Sequence, residues 1–157
     1  MVDTGQHVPE VKLVDTERKQ VDLASLVKGK KTVIAFFPAA FTGVCTKEMC
    51  TFRDGISNLN SLGANVVAIS VDSPFSNKTF KEQNKLQFAV LSDYSRDATR
   101  VFGVELPDFA GLPGYVAAKR AVFVTDSSGI IRWKWISDNP GLEPDYAQIN
   151  AELGKIR

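Results

Sequence analysis

Between Lys31 and Pro38 the chain reads Lys-Thr-Val-Ile-Ala-Phe-Phe-Pro, a nearly continuous run of β-branched and aromatic residues. A run without alternation predicts a strand buried on both faces. Residues 65–72 (NVVAISVD) and 88–93 (FAVLSD) repeat the pattern and predict two more such strands. After Gly43 the period changes: Met49, Phe52, Ile56 and Leu59 fall at spacings of three and four, which predicts a helix through about Leu62. Ser73 and Pro74 read as the N-cap and first turn of a helix between the second and third strands. Residues 95–104 predict a short helix closing near Gly103, and residues 145–156 a last one. Residues 10–23 alternate around a polar Asp-Thr-Glu-Arg-Lys turn, and residues 119–136 flank Asp-Ser-Ser-Gly; both predict hairpins. In the second hairpin Ile131, Trp133 and Trp135 are expected on one face of the strand, opposite Arg132 and Lys134.

Three strands alternating with helices and then a hairpin predict an α/β fold with a central mixed β-sheet, flanking helices and an N-terminal β-hairpin. Parallel strands are expected inside and an antiparallel pair toward one side. No repeat or linker divides the chain, so residues 1–157 read as one domain. Ligands in such sheets collect at the carboxyl ends of strands. The segment from Pro38 to Cys45 leaves the first central strand at that edge. The Trp133–Trp135 face reads as core, with a dimer contact or a pocket wall as the alternative; the Gly/Pro-punctuated loop 106–120, leading into Arg120, fits a pocket or a subunit interface.

Composition narrows the function. Of 157 residues 44% are apolar and 24% charged, with a formal charge of +1 and no basic run beyond Lys28-Gly29-Lys30-Lys31. No electrostatic footprint for nucleic acid is present. The N-terminus lacks the basic and apolar regions of a signal peptide, and the longest apolar run is too short to span a bilayer. The expectation is a soluble, cytoplasmic protein with neither nucleic acid nor membrane as partner. In that compartment cysteines are more often reactive or metal-binding than permanent crosslinks.

Both cysteines lie in residues 36–50, FFPAAFTGVCTKEMC, five positions apart. A structural zinc needs four ligands, and two Cys with one His do not supply them, so no metal is expected. Cys–His catalysis would need His7, which nothing ties to this segment. A thioredoxin-type exchange motif would be Cys-x-x-Cys, whereas four residues intervene here. Activation of Cys45 by electrostatics remains. Cys45 falls in the first turn of the predicted helix, where free N–H groups and the macrodipole favour thiolate. An arginine beside it would add to this and hold an oxygen-rich substrate. Arg53, Arg100, Arg120 and Arg132 are candidates that spacing does not separate. Thr42 reads as a hydroxyl aimed at the sulfur or as a helix N-cap. Pro38 reads as a shield or as a strand terminator, and Cys45 itself as a reactive thiol or as core.

Residues 38–45, Pro-Ala-Ala-Phe-Thr-Gly-Val-Cys, match the Pro-x-x-x-Thr-x-x-Cys signature of the peroxiredoxins. The resemblance continues through FFPAAFTGVCTKEMCTFRD, NVVAISVDSPFSNKTF, FAVLSD and KRAVFVTDSSGIIRWKW, in order along nearly the whole chain. It implies a thioredoxin-like fold that reduces hydrogen peroxide and organic hydroperoxides without metal or organic cofactor. It further implies Cys45 as the peroxidatic cysteine, Thr42 bonding the peroxide oxygens, Pro38 screening the sulfur, Arg120 as the active-site arginine and Glu48 orienting it. Attack on an O–O bond needs a deprotonated sulfur in line with the bond and donors for the departing oxygen, a role that suits Arg120 and Thr42. The product, a sulfenic acid, must then be resolved by a thiol.

The Cys-x4-Cys spacing resembles the PrxQ-like, bacterioferritin-comigratory subgroup, and implies Cys50 as the resolving cysteine and a thioredoxin-like dithiol as reductant. FFPAAFTG and GIIRWKW are more similar to the one-cysteine AhpE-like subgroup, in which Cys50 would be a buried helix residue. No C-terminal cysteine offers an intersubunit bridge, although a homodimer remains compatible with the sequence. Five residues of α-helix rise ~7.5 Å and separate the two Cα atoms by ~8.6 Å, beyond the ~7 Å reach of a disulfide. A Cys45–Cys50 bond therefore requires residues 43–50 to unwind. The competing functions are a redox-sensing interaction protein and a general disulfide oxidoreductase.

Overall fold

A computed structural model describes residues 1–156. The first third of the chain comprises β1 (Lys12–Val14), β2 (Gln20–Asp22), α1 (Leu23–Leu26), β3 (Lys31–Phe36) and α2 (Gly43–Asp54). Then follow α3 (Ile56–Ser61), β4 (Ala64–Ser70), α4 (Pro74–Gln83), β5 (Ala89–Ser92) and α5 (Asp97–Val101). The last part holds β6 (Glu105–Leu106), β7 (Ala117–Ala118), β8 (Arg120–Thr125), β9 (Ile131–Ser137) and α6 (Tyr146–Lys155). A seven-stranded sheet runs β2-β1-β5-β4-β3-β8-β9, with a separate β6-β7 pair. The three apolar runs, β3, β4 and β5, pair in parallel at its centre, and β8 and β9 extend it antiparallel beyond β3. The N-terminal hairpin joins the same sheet at the other side, β1 lying antiparallel to β5. This is the thioredoxin-like α/β architecture.

Both faces of the central strands are covered, which explains why they carry no polar alternation. On one face Val33 and Ala35 of β3 pack with Cys45, Met49 and Phe52 of α2, Phe80 of α4, and Ile149 and Leu153 of α6. On the other, Ile34 and Phe36 meet Leu23, Val27, Ala98, Phe102 and Phe123. The Phe36, Phe102 and Phe123 rings make mutually tilted or edge-on contacts at 5.0–5.9 Å, a favourable aromatic geometry. Ser73 caps α4 by accepting from the Ser76 N–H, with Pro74 in the first turn.

Two local expectations are corrected. The helix expected to reach about Leu62 stops at Asp54, and Gly55, at φ −89° and ψ 4°, separates it from α3. Glycine is the weakest helix former after proline, and the periodic apolar positions on either side conceal the break. In β9, Ile131 does not share a face with Trp133 and Trp135. The register shifts at Val124/Thr125, where Thr125 opposes Ile131 but Val124 opposes Trp133. Arg132 is thus the extra residue of a β-bulge, which interrupts the alternation of sides. Ile131 accordingly packs with Phe36 and Phe123, whereas the half-buried Trp133 and Trp135 pack on the Cys45 side.

Candidate active site

β3 ends at Phe36, and the chain crosses its carboxyl edge through Pro38 before α2 starts at Gly43. Asp72, just past the end of β4, accepts the Ala40 N–H at 2.8 Å and the Ser70 hydroxyl at 2.7 Å. The other side of the same peptide unit, the Ala39 carbonyl, accepts the Thr42 hydroxyl at 2.7 Å. The peptide between Ala39 and Ala40 is therefore clamped from both sides. Phe41 turns the chain in the left-handed region (φ 66°), its ring edge-on to Phe80. That conformation costs about 1–2 kcal/mol in a non-glycine residue, and the clamp and the ring contact hold it.

Thr42 occupies the N-cap position of α2, but no side chain caps the helix. Its hydroxyl is turned to Ala39, so the first-turn N–H groups, which have no intrahelical acceptors, stay open beside Cys45. Cys45, Glu48, Met49 and Phe52 form the buried face of α2. The antiparallel pairing of β3 with β8 sets Phe36 opposite Ala121, so the strand that begins at Arg120 begins where β3 ends. Topology thus selects one arginine. Arg120 is 1% exposed, and its Nη2 donates to Cys45 Sγ at 3.1 Å. Arg53 bonds Asp54 and the Asn84 carbonyl, Arg100 bonds Asp97 and Arg132 bonds Asp126, each outside this cluster.

The remaining bonds of Arg120 fix its plane. Nη1 donates to Glu48 Oε1 at 2.7 Å, while Nε and Nη2 both donate to the Pro140 carbonyl, at 3.2 and 2.8 Å. Glu48 is fully buried, and its Oε2 has no hydrogen-bond partner among the described residues. Burial pushes its carboxyl up from 4.5 to about 7; the Arg120 guanidinium opposes the shift and the Glu143 charge adds to it. The consequence for stability has a definite sign. Because the folded value lies above the unfolded one, the stabilising contribution is complete below about 4.5 and disappears as pH rises through about 7. Glu48→Gln is expected to flatten that slope by up to ~3 kcal/mol, read as the difference between the two chains in urea unfolding at pH 4.5 and 7.5.

Cys50 lies on the same intact helix but on its flank. It is half-buried, and its Sγ donates to Asn84 Oδ1 at 3.6 Å beyond the end of α4. Both cysteines are free. Of the residues singled out by sequence, Cys45, Arg120 and Glu48 are joined by hydrogen bonds; Thr42 stands at the N-cap of the same helix with its hydroxyl on Ala39, Pro38 is buried in the adjoining loop, and Cys50 stands apart. Sequence reasoning did not reach Asp72, although its place at the end of a central strand was a usable signal. Nor did it reach Pro140, which contributes only a backbone carbonyl. No group of metal-binding side chains occurs among the described residues, and no described helix is long and apolar enough to cross a membrane.

A family model described as the AhpC/TSA family matches residues 4–134. A chloroplastic peroxiredoxin Q from Populus jackii is 37% identical over 131 residues, covering 83% of this chain and 59% of that protein. The chain thus spans about three-fifths of the length of the chloroplastic relatives. A putative peroxiredoxin bcp from Coxiella burnetii is 34% identical over 134 residues, covering 85% of this chain and 88% of that one. Among solved structures, the peroxidoxin BcpB of Mycobacterium tuberculosis superposes with a TM-score of 0.84 at 30% identity, over 100% and 99% of the two chains. Reduced Prx3 of Vibrio vulnificus, solved with hydrogen peroxide, shares the fold with a TM-score of 0.88 at 24% identity, over 98% and 99%.

Proposed function

The chain belongs to the AhpC/TSA family, the peroxiredoxins, and on that premise we propose that it is a thiol peroxidase in which Cys45 attacks hydroperoxides. Its peroxiredoxin Q and Bcp relatives are of the subgroup that the Cys-x4-Cys spacing resembles. One observation carries the reading: the Arg120 guanidinium lies 3.1 Å from the Cys45 sulfur, at the open amino end of a helix. Arginine and helix end together stabilise negative charge on the sulfur without a histidine.

The first step forms an S–O bond and breaks the O–O bond. Sulfur loses two electrons to the peroxide, and the departing oxygen leaves as alkoxide or hydroxide and takes a proton from water. Arg120 and the open N–H groups of α2 supply the donors that meet this charge. Thr42 takes the opposite role to the one expected. Its single hydroxyl proton is committed to Ala39, so toward the substrate it presents only lone pairs and accepts the peroxide O–H. Arg120 donates and Thr42 accepts, which aligns the peroxide with the sulfur. Pro38, without an N–H, offers no competing donor on the loop side.

In the second step the Cys50 thiol displaces hydroxide from the sulfenic acid, giving a Cys45–Cys50 disulfide and water. An external dithiol of the thioredoxin type then reduces the bond, in a reducing compartment such as the cytoplasm. Since both cysteines sit on one helix, Gly43–Asp54, closure requires its first turns to unwind. Hydrogen exchange on the trapped disulfide tests this: amides of residues 46–50, the first of α2 with intrahelical acceptors, should lose protection, and retained protection would exclude this resolution route. Cys50→Ser is expected to keep the first-step rate within about twofold and to leave the sulfenic acid for trapping with dimedone. A slowed first step would instead assign Cys50 to peroxide attack. The proposal as a whole is tested by adding hydroperoxide to the fully reduced chain: one equivalent should be consumed per Cys45, with no metal added.

A further inference from the structure

Between β9 and α6 the chain forms a short strap, residues 138–145, over the Arg120 end of the site. It is wound on itself: Asn139 N donates to Ser137 Oγ at 3.1 Å, Gly141 N to Asn139 Oδ1 at 2.8 Å, and Leu142 N to the Asn139 carbonyl at 3.2 Å. This turn presents the Pro140 carbonyl to two N–H groups of Arg120. No other backbone atom bonds that guanidinium among the described residues.

The free end of the strap is held by Glu143. Its Oε1 accepts the Tyr146 hydroxyl at 2.7 Å, and its Oε2 lies 3.1 Å from Lys47 Nζ. Lys47 belongs to α2, two residues beyond Cys45, and the Tyr146 ring packs edge-on against Phe52 of the same helix at 5.4 Å. An exposed lysine pair alone contributes little. The tyrosine bond differs, because Tyr146 is half-buried against α2 and Glu143 is only 22% exposed. Glu143 is ionised at neutral pH: burial raises its carboxyl, but the Tyr146 hydroxyl and Lys47 outweigh burial and hold it below the usual range.

We propose that Glu143 is a positioning residue for the peroxidase reaction, fastening the strap to α2 so that the Pro140 carbonyl holds Arg120 against Cys45. The idea rests on the peroxidase reading and adds a second consequence. The same fastening resists the unwinding of α2, so the device that aims the arginine also restrains the helix that must later open.

The test measures two quantities on the fully reduced chain: the second-order rate of Cys45 oxidation by hydrogen peroxide in stopped flow, and amide exchange over residues 46–50. Glu143→Ala is expected to slow oxidation about fivefold, the factor carried by one lost charged contact of ordinary strength, and to speed exchange by a similar factor. Glu143→Gln keeps an acceptor for Tyr146 and should restore most of both values. Should Glu143→Ala not fold, Tyr146→Phe replaces it and is judged against the same two expectations. An oxidation rate or an exchange rate equal to that of the unaltered chain overturns the proposal, as does a Gln variant no better than Ala. Failure of the unaltered chain to oxidise Cys45 at all would instead count against the peroxidase reading, which keeps the two failures apart.

Discussion

Cys45→Ser is expected to abolish peroxide consumption, lowering the rate by a factor of about 10³ or more while leaving the fold intact. The substitution is nearly isosteric at a buried position whose only side-chain bond is from Arg120. A serine hydroxyl can accept that bond. It is a far weaker acid than a thiol and cannot supply the anionic nucleophile that attack on peroxide requires, so the nucleophile is lost with the packing preserved. Steady-state turnover with thioredoxin and its reductase is the appropriate assay, because it also separates the competing functions. A redox sensor would oxidise once and stop, and a general disulfide oxidoreductase would reduce disulfides without consuming peroxide. Full turnover by Cys45→Ser would remove the assignment.

Arg120→Met should lower the oxidation rate by about 10²–10³, the usual consequence of removing a donor aimed at developing charge. It should also destabilise the chain. Glu48 is fully buried, its Oε2 already lacks a partner, and without Arg120 both carboxylate oxygens would lack one. Breaking a buried pair on one side costs about 3–5 kcal/mol, more than the pair itself contributes. The two effects are separable. Arg120→Met combined with Glu48→Leu should recover most of the stability in urea unfolding and none of the oxidation rate. Recovery of both would mean that Arg120 acts only through the fold, and Arg120 would then have no part in charge stabilisation.

Much of this was legible in the sequence because the relevant physics is local. Unalternating apolar runs marked β3, β4 and β5, Ser73-Pro74 marked the start of α4, and Gly43 with the apolar spacing beyond it marked the start of α2. The position of Cys45 followed from that start. Four arginines remained equivalent, since the choice depends on which strand pairs with β3 and in which direction, a long-range fact. The resemblance to peroxiredoxins supplied Arg120, and the antiparallel β3–β8 register accounts for its place. Three features were hidden for other reasons. The break at Gly55 interrupts no apolar spacing. The bulge at Arg132 inserts a residue without changing the residue types. Pro140 acts through a carbonyl, which every residue carries. The direction of the Thr42 hydroxyl was hidden too, because a threonine at that position serves equally as cap, donor or acceptor until its proton is placed.

The central claim is that the Cys45 sulfur, bonded by Arg120 in the first turn of α2, is the atom that takes oxygen from peroxide. Mass spectrometry of the reduced chain, quenched at successive times after one equivalent of hydrogen peroxide, addresses it directly. One oxygen should first appear on Cys45 alone and then give way to a bond between Cys45 and Cys50. Oxygen appearing first on Cys50, or peroxide surviving beside an unmodified Cys45, would contradict it.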